Sequence, residues 1–138
     1  MRTYSFKNVN MIHGTHEVSG FADVDDAITI EARSNAFETY TGAKGEVTRA
    51  MINDETVLIK VKLQQTSKSV AYFQNILLAD RASGNMVLPI QVDNYEEGES
   101  IKIPKTYVIK QPTITRGKGQ NIIEVELIGD REIPIFIP

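Results

Sequence analysis

The sequence contains no cysteine and no tryptophan, and only 2 of its 138 residues are histidine. Without cysteine, disulfide bonds, a cysteine nucleophile and thiolate metal sites are excluded. Positive charge is also scarce, since 15 Lys and Arg residues are outnumbered by 18 Asp and Glu residues. The net charge is therefore -3, and no excess of positive charge is present to attract nucleic acid or an anionic membrane. The longest apolar runs have four residues, as at 70–73, whereas a membrane-spanning helix needs about 20. We therefore expect no membrane-spanning segment.

The residues that are present indicate one β-rich domain. A chain with 41% hydrophobic and 24% charged residues is typical of a globular protein, and we expect a single domain over residues 1–138. There are 17 Ile, 11 Val and 11 Thr against only 6 Leu. Because β-branched side chains fit a pleated surface and lose rotamer freedom in helices, this composition favours a mostly-β fold.

Alternating hydrophobicity predicts the strands. Apolar residues at every second position between Val57 and Leu63 share one face, while Lys60 and Lys62 lie on the other, as in a half-buried strand. The same alternation recurs in 28–33, 86–93, 105–109 and 123–127. With turn residues between them, these seven or eight strands indicate a small β-sandwich or barrel.

One segment has helical periodicity instead. Apolar residues recur at intervals of three and four between Val70 and Leu77, which predicts a helix over about residues 68–80. Either Ser67 or Ser69 can cap its start. We expect this single helix to flank the β core.

Two further segments are expected to be irregular. Residues 34–46 form a predicted long loop that carries Phe37 and Tyr40, and loops of this length are often functional. These aromatic side chains pack either on the domain's own core or against a neighbouring molecule. A predicted C-terminal tail over about residues 131–138 is rich in isoleucine and would form an adhesive patch if it were exposed.

The histidines and the acidic cluster do not indicate a metal site. Because residues three apart in a strand point to opposite faces, we interpret His13 and His16 as solvated turn residues. Asp23, Asp25 and Asp26 lack the spacing and central glycine of a calcium-binding loop and indicate a solvated loop. We predict no metal site.

No catalytic constellation is visible either. Glu124 and Glu126 share a strand face about 7 Å apart, which permits acid–base chemistry, but the sequence places no His, Arg or aromatic residue beside them. The glycine turns at 42–45 and 116–119 lack the strand before and the helix after that a phosphate-binding loop needs. We predict no catalytic residue, no cofactor and no enzymatic activity.

Several segments carry a resemblance to a known family. The strongest runs from Lys62 to Ser67 directly into the predicted helix, and the likeness covers roughly the first 90 residues. The other matching segments are 4–9, 19–22, 25–31, 37–38 and 42–46. In these segments the chain resembles the tail tube subunits of contractile-tailed phages and related prophages, which are similar to the tube proteins of pyocins and type VI secretion.

The resemblance implies a small β-sandwich or barrel whose inner strands join those of neighbouring subunits in one ring-wide barrel. It implies homohexameric rings that stack into a hollow tube, through which DNA passes transiently without specific binding. The implied partners are other copies of the chain, the tail sheath, the tape-measure protein and the baseplate proteins. The implied location is the virion, with assembly in the host cytoplasm.

A tube needs a lumen and contacts between subunits, and the sequence offers candidates for both. An acidic lumen would not hold DNA phosphates, so Lys60 and Lys62 must pair with carboxylates or face outward. The candidate lumen residues are Thr29, Glu31, Arg33, Lys60, Lys62, Gln64, Glu124 and Glu126. The candidate contact residues are Phe37, Tyr40, Lys44, Ile133, Ile135 and Phe136.

Two other classes of protein remain open from sequence alone. A tail terminator or baseplate adaptor would form rings without indefinite stacking. A β-sandwich binding module, for example one that binds carbohydrate, usually displays exposed aromatic residues, and an aromatic content of 7% without tryptophan counts against it.

Overall fold

The computed structural model describes residues 3–136, and most of the secondary structure in that range is β-strand. The strands are β1 (Val9–His13), β2 (His16–Glu17), β3 (Ile28–Ala32), β4 (Phe37–Thr41), β5 (Val47–Met51), β6 (Val57–Gln64), β7 (Leu88–Asn94), β8 (Glu99–Val108), β9 (Ile122–Gly129) and β10 (Ile133–Phe136). One α-helix, α1 (Lys68–Ser83), lies between β6 and β7. The predicted mostly-β fold with one helix is therefore confirmed.

The main sheet is antiparallel and has eight strands in the order β2-β1-β7-β8-β9-β6-β3, with β10 beside β8. Its two end strands, β2 and β3, are not paired with each other in the described range, so these residues do not form a closed barrel. Strands β4 and β5 pair only with each other, in a separate two-stranded sheet.

The longest continuous pairing in the main sheet joins β6 and β9, in register from Val57 opposite Gly129 to Gln64 opposite Ile122. The inward side chains of both strands are almost completely buried: Val57, Ile59, Val61, Leu63, Ile123, Val125 and Leu127. The predicted alternation between Val57 and Leu63 is therefore confirmed. Polar side chains at the intervening positions occupy the opposite face, which is where the candidate lumen residues lie.

Helix α1 covers the buried face of the sheet. Its start is capped by Ser67, whose hydroxyl accepts a hydrogen bond from the Ser69 amide at 3.1 Å. Gly84 closes the helix in the left-handed conformation, with φ of 71°, so α1 extends one turn beyond the predicted 68–80. Phe73 is completely buried in the core, which fixes the helix against the sheet.

The segment expected as a long loop, 34–46, contains strand β4 and the turn that leads into β5. All ten strand residues of this β4–β5 hairpin are exposed on both faces. A strand without a buried face has no reason to alternate polar and apolar residues, so periodicity does not reveal it. Gly45, with φ of 87°, supplies the left-handed turn conformation between the two strands.

The predicted C-terminal tail likewise contains a strand. Lys102 lies opposite Ile133 and Thr106 lies opposite Gly129, so β10 continues the line and register of β9 along β8. From the sequence we expect this apolar tail to pack either on a neighbouring subunit or on the helix of its own chain, whereas β10 pairs with β8 in the main sheet. Alternating β-branched residues favour a strand here, and β8 provides a free edge for it.

Candidate assembly surfaces

The first candidate surface is the polar face shared by β3, β6 and β9. Strand pairing places Lys60 between Thr29 and Glu126, and it places Lys62 beside Glu124. The sheet therefore brings together side chains from three strands that are distant in sequence. Opposite charges directly across an antiparallel pair attract each other, so this face alternates in sign from strand to strand.

Both lysines on this face have carboxylate partners. The Lys62 ammonium donates to Asp26 at 2.7 Å, and this hydrogen bond lowers the pKa of the Asp26 carboxyl below its usual value. The Lys60 ammonium lies 3.9 Å from the Glu31 carboxylate. The requirement that the lysines pair with carboxylates is therefore met within the chain. Asp26 was predicted only as part of a solvated loop, because 36 residues separate it from Lys62.

A third ion pair completes the face. Lys110 donates to Glu126 at 3.1 Å, and this hydrogen bond lowers the pKa of the Glu126 carboxyl. Sequence reasoning missed Lys110 because it follows β8 and reaches β9 only through the fold. The remaining candidates are less central: Gln64 donates its amide to the Phe21 carbonyl, and Arg33 follows β3 and donates to the Thr56 hydroxyl.

The second candidate surface is the β4–β5 hairpin. Phe37 and Tyr40 do not pack on the domain's own core and are 40% and 55% exposed. The Arg49 guanidinium lies 4.4 Å from the centre of the Phe37 ring, a cation–π contact. The Tyr40 hydroxyl donates to Glu38 at 2.6 Å, and this bond to a carboxylate raises the pKa of Tyr40. Lys44 lies in the exposed turn between the strands.

The third candidate surface is the C-terminal strand. Ile133 is half-buried and Ile135 is 45% exposed. Phe136 belongs to β10, but its side chain lies outside the described part of the structure, as do residues 137 and 138. The predicted contacts of this tail with a neighbouring subunit stay a prediction.

The environments of His13 and His16 differ from the solvated turn that we expected from the sequence. His13 is completely buried at the end of β1, with Nδ1 2.8 Å from the Tyr72 hydroxyl. Burial, with a smaller contribution from the charge of His16, lowers the pKa of His13 to about 4. His16 stacks on the Tyr72 ring at 3.8 Å and lies 3.0 Å from the Ser69 hydroxyl. The interpretation of His13 as solvated is wrong, because α1 covers the hairpin turn.

Residues 3–136 contain no group of three or more His, Cys, Asp or Glu side chains arranged to hold a metal ion. In the same range, no helix has the length and apolar character needed to cross a membrane.

One protein family matches most of the chain. The family described as Bacteriophage PhiTE tail tube protein matches residues 1–131 of the chain. No curated protein matches the chain.

Solved structures share the fold at low sequence identity. The sheath/tube terminator of the extracellular contractile injection system PVC, in the extended state, has a TM-score of 0.64 and 9% identity, with 98% of each chain covered. The tube terminating cap of the anti-feeding prophage has a TM-score of 0.64 and 11% identity over 99% of this chain and 93% of that chain. A chain of the PVC sheath-tube complex in the extended state has a TM-score of 0.65 and 10% identity over 94% of this chain and 88% of that chain.

Proposed function

The chain belongs to the Bacteriophage PhiTE tail tube protein family and is a structural component of a phage tail, and we propose that it is the repeating subunit of the tail tube. Six copies close into a ring, the inner strands of the copies join in one barrel, and the rings stack into a hollow tube through which DNA passes. The subunits assemble in the host cytoplasm and contact the tail sheath, the tape-measure protein and the baseplate.

The observation that carries this proposal is the β4–β5 hairpin, whose ten strand residues contact little of their own domain. Val47 and Met51 are each 69% exposed, and Phe37 and Tyr40 add two aromatic rings. Exposed apolar groups on a two-stranded ribbon are a liability in a monomer, since an isolated hairpin is at best marginally stable. A neighbouring subunit that covers the hairpin removes this cost, which supports a contact between stacked rings.

The open sheet supports ring closure. Strand β3 pairs only with β6 among residues 3–136, so its other edge presents unpaired main-chain groups. Exposed edges invite pairing with another chain, and closure of a sheet across subunits removes them. We assign this edge to the joint between the barrels of adjacent subunits.

The polar face of β3, β6 and β9 supports the lumen. Strong binding to DNA comes from lysines and arginines that neutralise phosphates. Here Asp26, Glu31 and Glu126 already neutralise the ammonium groups of Lys62, Lys60 and Lys110. A lumen lined by such pairs lets DNA slide without holding it.

Electron microscopy of the purified protein, with light scattering at several concentrations, tests the proposal. We expect hollow tubes built from stacked rings. A protein that stays monomeric at every concentration, and also in the presence of preformed tail baseplates as nucleators, would contradict it.

A matched pair of variants tests the role of the hairpin. Val47→Ser combined with Met51→Ser removes two exposed apolar groups, so the monomer should fold normally while tube formation is lost or greatly reduced. Leu78→Ser is the control, since Leu78 is 58% exposed on α1. Equal loss of assembly in both variants would show that the hairpin has no special role.

The second candidate function is a terminator ring. The fold resembles a sheath/tube terminator and a tube cap as closely as it resembles a chain of a sheath-tube complex. A terminator predicts isolated rings that bind the end of a tube and do not stack on one another, which the same micrographs distinguish.

A further inference from the structure

An apolar groove of about 380 Å³ opens where the curled sheet brings β3 opposite the N-terminal segment and the adjoining ends of β7 and β8. Its floor is formed by apolar and aromatic side chains: Tyr4, Phe6, Ile28, Ile30, Val92 and Ile101. Tyr4 remains 64% exposed, so the groove is open to another molecule.

The rim of this groove is acidic. Asp25, Glu97, Glu99 and Glu132 line it, and no Lys or Arg belongs to the lining among the described residues. None of the three ion pairs found within residues 3–136 includes these four carboxylates. An apolar floor with an uncompensated acidic rim fits a segment that carries both apolar side chains and positive charge.

The same chain contains one such segment, the loop of residues 109–119 between β8 and β9. It has three cations and no acidic residue. Lys110 pairs with Glu126, whereas Arg116 and Lys118 have no ion-pair partner among residues 3–136. Ile109 and Ile114 are 39% and 43% exposed in it. Within residues 3–136, Arg116 donates only to the neighbouring Thr115 carbonyl, so no carboxylate in this range compensates its charge.

The groove and the loop lie at opposite ends of one strand. Glu99 and Ile101, at the start of β8, line the groove, whereas the loop begins just after β8 ends at Val108. A ten-residue strand spans about 30 Å. A loop at one end therefore cannot fill the groove at the other end of the same copy, but it can fill the groove of a copy that follows along the strand direction.

We infer that the basic loop 109–119 of one copy docks in the acidic groove of the next copy, so that the subunits join head to tail. This inference rests on the proposed stacking of subunits and names two of the surfaces that meet. Contacts between two different patches of one chain propagate into rings or filaments rather than stopping at a dimer.

Charge selects this loop over the other exposed segments. The β4–β5 hairpin carries Glu38 and Glu46 against Lys44 and Arg49, and is therefore neutral. The C-terminal residues 131–138 are also neutral, with one Arg and one Glu. Of these three segments, the loop 109–119 is the one whose charge complements the rim.

Paired charge reversals test the inference. Glu97→Lys with Glu99→Lys reverses the groove, and Arg116→Glu with Lys118→Glu reverses the loop. Each double variant alone should need a concentration at least about tenfold higher than the wild type for assembly, since like charges then meet. The chain that carries all four changes, and an equimolar mixture of the two double variants, should both regain assembly because opposite charges meet again.

The controls reverse charges elsewhere on the surface. Glu17→Lys and Arg81→Glu change exposed residues of β2 and α1 and should leave assembly unchanged. Thermal unfolding checks that every variant folds. Wild-type assembly by both double variants would overturn the docking while leaving the tube proposal intact, and it would point to a segment of the same copy, or another protein, as the occupant.

Cross-linking tests the contact even if wild-type tubes do not form. Because the chain has no cysteine, Ile114→Cys in one copy and Glu97→Cys in another introduce single thiols into an otherwise thiol-free background. A mixture should form disulfide-linked heterodimers faster than Ile114→Cys mixed with Glu17→Cys. Equal rates for the two mixtures would reject the contact. Heterodimers without tubes would support the contact and count against the tube.

Discussion

Two hairpins of the molecule, β1–β2 and β4–β5, differ in how they contact the rest of the chain. The β1–β2 hairpin is closed by Gly14 and covered by α1, and it buries Met11 and His13 completely. The β4–β5 hairpin has the same kind of main-chain pairing, but every one of its strand residues is exposed. Main-chain hydrogen bonds alone contribute little net stability, so the two ribbons differ mainly in what covers them.

The difference separates residues that fold the domain from residues that are free to bind other subunits. Changes on the covered side should lower the free energy of unfolding of the monomer. Changes on the β4–β5 hairpin should leave it nearly unaltered and act on assembly. The next three experiments test this separation.

The largest effect should come from the core beneath the covered hairpin. Phe73 is completely buried and contacts the rings of His13 and Tyr72. Phe73→Ala should lower the free energy of unfolding by about 3–5 kcal/mol, because it leaves a cavity. Phe37→Ala in the exposed hairpin is the matched change and should cost little. Urea unfolding of both variants measures the difference, and similar losses would mean that the hairpin is part of the folding core.

The next effect is a pH dependence of the free energy of unfolding, and it should come only from the covered β1–β2 hairpin. Folding lowers the pKa of His13 from 6.5 to about 4, so the unfolded chain binds more protons between these values. Stability should be complete above pH 6.5, fall as the pH drops towards 4, and lose about 3 kcal/mol in total. His13→Asn should remove this part of the dependence, as measured by urea unfolding between pH 4 and 7. An unchanged slope in the variant would assign the dependence to the carboxyl groups.

A smaller effect on stability should follow when one tyrosine hydroxyl is removed, either beneath the covered β1–β2 hairpin or on the exposed β4–β5 hairpin. The Tyr72 hydroxyl donates to the His13 carbonyl at 3.2 Å and lies within hydrogen-bond distance of its buried Nδ1. Tyr72→Phe leaves these groups without that partner and should cost about 1–2 kcal/mol. Tyr40→Phe removes only an exposed bond to Glu38, so the unfolding midpoint should not move. A loss of stability in Tyr40→Phe equal to that in Tyr72→Phe would refute the contrast.

The features predictable from sequence are those with a buried face. Strand β6 and helix α1 follow from apolar spacing, because burial of one face imposes a period of two or about 3.6 residues. Strand β4, inside the segment expected as a loop, could not be found in this way because the β4–β5 hairpin buries neither face. Strand β10 was not predicted although isoleucines alternate through it, because proline is rare within strands and Pro134 lies inside it.

Contacts between residues that are distant in the sequence could not be predicted from the sequence. His13 and Tyr72 are 59 residues apart, and Asp26 and Lys62 are 36 apart. Single-sequence patterns describe local geometry, whereas these contacts depend on how the helix and the strands pack. From the sequence we required carboxylate partners for Lys60 and Lys62, and the fold supplies them in Glu31 and Asp26.

The smallest effect on stability should come from changes to the polar face of β3, β6 and β9, to which neither hairpin contributes. Here we predict a change in DNA binding rather than in folding. Asp26→Asn removes the carboxylate that pairs with Lys62, and Glu126→Gln removes the partner of Lys110. Each pair has one side chain that is at least 60% exposed, so water screens the attraction and unfolding should barely change. The freed ammonium groups should instead strengthen DNA binding by the assembled protein, with a steeper dependence on salt concentration. Glu17→Gln, on β2, is the matched control. If DNA affinity measured across a salt series is the same for all three variants, the face does not line the lumen.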